Sequence, residues 1–347
     1  MYPLVLLLAF APLLGGAELV VRGARGVARG LGVPPLVVGL TILAFGTSAP
    51  ELVINIAAAL RGSSQIALGN ILGSNIFNIA GLLGLLALCR NLPVGRSTTW
   101  AEIPLAIVSA LLLLLVTSNG IISRGEGGLL LFFFGGFLVY VGVLSRRSRE
   151  PLLPEEAHCG AAPKGSCQQE KTCWLRSALV MTGGLALLTA GGRGVVLGAL
   201  GTARLIDLPE YVIAASIVAI GTSLPELATG ITALRRGETD LAIGNAVGSN
   251  IFNVLLVIGS TALITPVATG PRPLDHGAHL LSTGLLFLFI FTGKKSAAPG
   301  PAGPGGPAGQ KTIRAGQVER LGQIERPEGA ILLGLYLIYG VTLFLTA

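Results

Sequence analysis

The sequence predicts an all-α integral membrane protein of ten transmembrane helices, built as two inverted five-helix repeats. Three observations lead there. The chain is 52% hydrophobic and only 12% charged, with a mean hydropathy of +0.76, where a soluble domain carries about 25% charge. One stretch occurs twice: residues 42–78 and 217–253 align without a gap at an offset of 175, with 21 of 37 positions identical. The Lys and Arg residues gather in alternate loops.

A membrane-spanning helix needs about 20 apolar residues. Apolar runs fall at 3–28, 34–60, 64–90, 100–118 and 127–145, then at 175–202, 209–234, 239–266, 277–293 and 329–346. The first run carries Glu18 and leads straight into the repeat, so it reads as a membrane helix rather than a cleaved signal peptide. The second and third runs hold the first copy of the repeat, and the seventh and eighth hold the second. A polar loop at 146–174, with Arg146, Arg147, Arg149, Lys164 and Lys171, divides a first half (1–145) from a second half (175–347). Within the second half, 294–328 stands apart. Its run SAAPGPAGPGGPAGQ is Pro/Gly-rich, cannot bury a core and should form a flexible loop. The charged stretch after it, KTIRAGQVERLGQIERPEG, is expected to form a short surface helix.

Five helices per half force the two copies into opposite orientations, an inverted-repeat plan. With the N-terminus outside, the inward-facing segments hold 19 of the 24 Lys and Arg residues. Arg61, Arg124, Arg193, Arg204 and Arg272 make up the rest. The bias predicts both termini outside a plasma membrane. The net charge of +7 is loop charge of this kind. No aromatic–basic face accompanies it, so nucleic acid is not an expected partner, and no obligatory protein partner is evident; the lipid bilayer is the surrounding medium. Three of the four cysteines, Cys159, Cys167 and Cys173, fall in the middle loop with His158, while Cys89 lies apart. Their spacing matches no tight metal site, and they read as unpaired loop thiols.

Each copy of the repeat carries two polar signatures inside apolar sequence, GTSxPEL and GNxxGSNIFN. Glu51 and Glu226 are the carboxylates. A carboxylate within hydrocarbon costs at least about 2.5 kcal/mol, so it has a partner or a task. One partner would be an Arg in another helix. Arg193 is the one Arg within a helix core, but it aligns with Glu18 at the same offset of 175, which suggests that those two pair. Thr47 and Ser48 precede Glu51 by four and three positions, and Thr222 and Ser223 repeat this before Glu226, so each trio shares one helical face. Pro50 and Pro225 each remove a backbone donor and should bend or break their helices. Ser74 and Asn78, like Ser249 and Asn253, are spaced i, i+4. Asn70 and Asn245 extend that face and read as interhelical hydrogen bonders; Asn75 and Asn250 lie one step off it, as braces. Gly69/Gly73 and Gly244/Gly248 read as close-packing GxxxG pairs. Carboxylate, hydroxyl and carbonyl oxygens are what a hard cation such as Ca2+ requires. Two carboxylates give a charge of −2, which one Ca2+ or two Na+ would balance. The reading is a transporter, not an enzyme, with Ca2+ and Na+ as substrates and no cofactor.

The motifs GTSAPEL–GNILGSNIFN and GTSLPEL–GNAVGSNIFN resemble the alpha repeats of the sodium/calcium exchangers, in the cation/calcium antiporter superfamily. The resemblance covers both repeats and the ten-helix layout, and it is to the prokaryotic type, since the middle loop has under 30 residues and no regulatory domain. It implies exchange of three sodium ions per calcium by alternating access. Ca2+ would sit between Glu51 and Glu226, with the carbonyls of Thr47 and Thr222 completing its shell. One sodium site would lie near Ala219, Thr222, Ser223 and Ser74, and another near Ala44, Thr47, Ser48 and Ser249. Asn78 and Asn253 would line a middle position, and helices one and six would slide across the other eight. Some microbial relatives carry Asp where this chain has Asn253, which cannot ionise, so protons cannot couple through it; coupling through the two Glu stays open. The alternatives are a Ca2+/H+ antiporter of the same superfamily and, more remotely, a cation channel or an intramembrane hydrolase.

Overall fold

A computed structural model describes residues 2–60, 64–147, 167–205, 219–269, 272–292 and 320–346. The long helices are α1 (Tyr2–Leu31), α2 (Pro35–Leu60), α3 (Ala67–Cys89), α4 (Thr98–Thr117), α5 (Arg124–Arg147) and α6 (Cys167–Leu205). They are followed by a short turn α7 (Ala219–Thr222), α8 (Leu224–Arg235), α9 (Thr239–Ile264), α10 (Pro273–Thr292) and α11 (Arg326–Thr346). Among the described residues, eight helices are long and apolar enough to cross a membrane. The chain is therefore a multi-span membrane protein. The first part of the expected span 209–234 lies outside the described residues, as do His158 and Cys159. Cys167 and Cys173 fall on α6, which starts earlier than its apolar run, and Cys89 is an exposed free thiol.

The first helices of the two halves, α1 and α6, pack against each other along their length. Gly16, Gly23 and Gly30 on α1 face Leu188, Met181 and Trp174, while Gly184, Gly191 and Gly198 on α6 face Val20, Leu13 and Leu6. Seven-residue spacing on both helices keeps the small residues in one seam, where bare backbone lets the helices approach closely. Glu18 does not pair with Arg193, which is exposed. It meets Arg22 at 2.8 Å and Arg236 beyond α8. The shared offset of 175 therefore did not locate a partner here; an i, i+4 neighbour and the α8–α9 turn supply it. Arg25 and Glu238, 2.9 Å apart, tie α1 to the same turn.

Two short ribbons join the halves. β1 (Leu92–Gly95) pairs antiparallel with β4 (Arg320–Ile324), and β2 (Ile121–Ile122) pairs antiparallel with β3 (Val267–Ala268). Leu92 and Val267 are repeat equivalents, so each half sends the strand after its GSNIFN helix to the other half. Of the charged stretch 311–329, residues 320–324 form a strand rather than a surface helix, Arg326 already opens α11, and 311–319 lie outside the described residues. Leu92, Val94 and Ile324 are all 0% exposed, and burying alternate residues suits a strand rather than a helix. Gly322 makes this possible, because a Cβ there would run into the Ile290 carbonyl of α10. We expect Gly322→Ala to destabilise the protein by about 1–3 kcal/mol, measured as a lowered Tm in detergent.

Candidate functional site

The second helix of each half carries the GTSxPEL signature, and the two copies differ in shape. In the first, α2 runs through Pro50 without interruption, after a π-type turn at Gly39–Leu43. In the second, helix breaks at Ser223 (φ −95°, ψ 6°), between α7 and α8, two residues before Pro225. Proline removes one helical hydrogen bond; whether a helix bends or parts there depends on its neighbours. The GSNIFN ends match more closely. A π-type turn spans Phe77–Leu83 in α3 and Asn253–Ile258 in α9, placing Asn78 and Asn253 where the regular helical ladder is locally relaxed, a frequent feature of functional sites.

Ala44, Thr47, Ser48 and Glu51 are buried on α2. Ser74 and Asn78 are buried on α3, and Ser249 and Asn253 on α9. Ser223 and Glu226 are buried at the head of α8, and Thr222 is half-buried. Ala219 opens α7. The structure brings the two copies together crosswise. Thr47 Oγ1 donates to Asn245 Oδ1 at 3.3 Å and lies 3.5 Å from Ser249 Oγ. Its repeat equivalent, Thr222 Oγ1, donates to Asn70 Oδ1, also at 3.3 Å. Asn70 and Asn245 thus form the interhelical bonds their spacing suggests. Asn75 and Asn250 brace each other: Asn75 Nδ2 donates to the Asn250 carbonyl at 3.4 Å, and Asn250 Nδ2 returns a bond to the Asn75 carbonyl at 3.0 Å. Asn253 Nδ2 donates to Asn75 Oδ1 at 3.0 Å. Glu51 and Glu226 are each 1% exposed.

The glycines of the second copy behave as packing residues, whereas Gly73 of the first has no neighbouring atom within 4 Å of where a Cβ would stand and is not a close-packing position. A Cβ at Gly244 would meet the Leu36 carbonyl at 2.9 Å, and one at Gly248 would meet Leu40 Cα at 2.9 Å, so α9 and α2 touch backbone to backbone. Gly69 faces the Arg272 guanidinium.

Many of these polar atoms have no hydrogen-bond partner within the protein. Ser48 Oγ, Glu51 Oε2, Ser74 Oγ, Ser223 Oγ, both carboxylate oxygens of Glu226 and the amide oxygens of Asn78 and Asn253 are buried and unpartnered. A buried polar group in that state costs about 1–3 kcal/mol, and a charged one more. Oxygen ligands in such density fit a hard cation. Among the described residues there is no cluster of three His, Cys, Asp or Glu, so a soft-metal centre has no ligand set.

Asn55, His279 and Glu102 are among the buried polar groups that escaped the sequence reading. Asn55 follows Glu51 by one turn and is 0% exposed; its spacing was visible, but its repeat equivalent is Gly230, so the repeat did not flag it. His279 on α10 lies 3.5 Å from Asn75 Nδ2 through Nε2, outside the repeat. Glu102 accepts a bond from the Tyr140 hydroxyl at 2.8 Å, and no local pattern marked it.

Two copies of one helical hairpin, meshed through cross-copy hydrogen bonds around paired carboxylates in a membrane, define a transporter of the cation/calcium antiporter superfamily. The particular family follows from direct comparison. The sequence model of the sodium/calcium exchanger protein family matches residues 1–143 and 176–345, and the chain belongs to that family. The Alkalimonas amylolytica protein CaxA is 34% identical over 337 residues, 96% of this chain and 95% of its own length. The inner membrane protein YrbG of Escherichia coli is 34% identical over 85% of this chain and 92% of its own length, and the sodium/calcium exchanger MaX1 of Methanosarcina acetivorans is 28% identical over 83% and 90%. A solved structure of the sodium-calcium exchanger NCX_Mj shares the fold, with a TM-score of 0.76 at 24% identity over 97% of each chain.

The reciprocal Asn75–Asn250 pair predicts that Asn75→Ala and Asn250→Ala each destabilise by about 1–2 kcal/mol. Each bond joins one side chain to the other residue's backbone carbonyl, which alanine retains, so the double variant should lose close to the sum of the two; thermal unfolding in detergent measures all three.

Proposed function

We propose that this chain exchanges sodium for calcium across a plasma membrane by alternating access, three Na+ per Ca2+. Ca2+ is held between Glu51 and Glu226, with the backbone carbonyls of Thr47 and Thr222 completing its shell. Sodium uses overlapping ligands, one set at Ala219, Thr222, Ser223 and Ser74, and another at Ala44, Thr47, Ser48 and Ser249. Asn78 and Asn253 line the position between the carboxylates. The observation that carries this reading is the set of buried oxygens from both copies that have no protein partner. Their two carboxylates make a charge of −2, and among the described residues no ion pair reaches either one. A cation supplies the missing partner, and one Ca2+ or two Na+ supplies the missing charge.

Alternating access needs two arrangements of one cage. In this reading the chain has ten spans, two inverted halves and both termini outside, and the glycine-lined α1–α6 pair slides across the rest. Neutral Asn253 keeps the cage charge at −2 at any pH at which the two Glu are ionised, which favours sodium over protons as the exchanged ion. The relative MaX1, named a sodium/calcium exchanger, supports the same choice.

Calcium-45 uptake into sodium-loaded proteoliposomes, compared with choline-loaded ones and with and without a pH gradient, tests the coupling ion. We expect uptake that requires internal sodium and ignores the pH gradient. Uptake driven by the pH gradient alone would assign Ca2+/H+ antiport instead, and uptake without any counter-ion requirement would indicate a channel. Glu51→Gln and Glu226→Gln each lower the cage charge to −1 and are expected to reduce calcium uptake to background; transport retained in both would overturn the site. Asn70→Ala removes the acceptor of the Thr222 hydroxyl, and is expected to lower stability more than ion affinity.

A further inference from the structure

The face of α2 that carries Thr47, Ser48 and Glu51 does not end at the carboxylate. Asn55 lies at i+4 from Glu51, on the same buried face, which places it about 6 Å further along the helix axis. It is 0% exposed, and neither its Oδ1 nor its Nδ2 has a hydrogen-bond partner within the protein. A fully buried amide with both ends unsatisfied is rare, because nearly all buried polar groups find partners. Its carbonyl oxygen is a ligand type that hard cations accept.

The repeat did not require this residue. Its equivalent in the second copy is Gly230, where a Cβ would meet Leu82 at 3.0 Å and Leu86 at 3.3 Å. The turn beyond Glu226 is therefore closed by leucines. The repeat equivalents of those leucines are Val257 and Thr261, and α2 packs against this part of α9. Thr261 is buried, with its hydroxyl donating to the Val257 carbonyl at 2.7 Å. The two copies agree at Thr, Ser and Glu, then diverge: beyond Glu51 the buried Asn55 amide has no partner within the protein, whereas beyond Glu226 the buried polar group is Thr229, whose hydroxyl donates to the Pro225 carbonyl at 2.8 Å and accepts from Asn245 Nδ2 at 3.3 Å.

We infer that Asn55 is an additional cation ligand, a polar rung that holds the cation in transit between the paired carboxylates and the membrane face at the C-terminal end of α2. This rests on the cation-exchange reading above. Under the proposed orientation that face is the outer one. Gly230 offers no such ligand on the way to the opposite face, so the two faces differ in how they capture cation.

The test compares the KM for Ca2+ at each face, using right-side-out and inside-out membrane vesicles. Asn55→Leu keeps the size and removes the oxygen; Asn55→Asp keeps the shape and an oxygen ligand. We expect Asn55→Leu to raise the KM for Ca2+ about tenfold at the outer face while leaving the inner face within about twofold. Asn55→Asp should keep the low KM at the outer face. An equal shift at both faces, or none at either, would overturn the inference. If Asn55→Leu does not assemble, as judged by size-exclusion chromatography, Asn55→Ala is read by the same criterion. The coupling ion fails separately: if the wild-type vesicles respond to a proton gradient and not to sodium, the two-face comparison run under that gradient still decides Asn55.

Discussion

Two carboxylates buried in apolar surroundings, without a basic partner among the described ion pairs, constrain everything around them. Glu51 and Glu226 are each 1% exposed. Charges so placed are tolerated only where something compensates them. Within the protein the surroundings are hydroxyls and amides, which soften a charge without neutralising it. The rest of the site follows from this. Serines on both copies keep free oxygens, the asparagines at the GSNIFN ends face inward, and the helices around them pack closely enough to exclude lipid.

Close packing has its own requirement, met by glycine. Gly244 and Gly248 bring α9 against α2 so that a hydroxyl on one helix reaches an amide on the other. Without that approach, Thr47 and Asn245 would stand too far apart to bond. The α1–α6 seam uses the same device for another purpose. Its glycines recur every seven residues on both helices, a spacing that keeps the two backbones close along one seam.

The internal duplication explains the reciprocity of the site. Asn75 and Asn250 exchange bonds, Thr47 and Thr222 reach equivalent asparagines, and each half contributes one strand to the other's ribbon. The departures from symmetry are equally informative. The helix breaks at Ser223 but continues through Pro50, and Gly230 stands in the second copy where the first has Asn55. Such differences make the two halves of the site unequal.

How much was legible in the sequence depends on the range of the interaction. Helix positions, the shared face of Thr47, Ser48 and Glu51, and the oxygen-only chemistry all follow from local periodicity and residue type, and the duplication made them visible twice. The partners did not follow. Glu18 turns to Arg22 and Arg236 rather than Arg193, residues 320–324 add a strand where charge suggested a surface helix, and Asn55 ends without a partner. Each depends on which helices lie side by side, and the residues involved are far apart in the chain. The sequence by itself determined the membrane class, the family and the types of polar atom gathered in the buried site, because these are local properties. Only the tertiary structure decided which hydroxyl meets which amide and which oxygens remain unsatisfied, because those depend on helix packing distances that no single segment encodes.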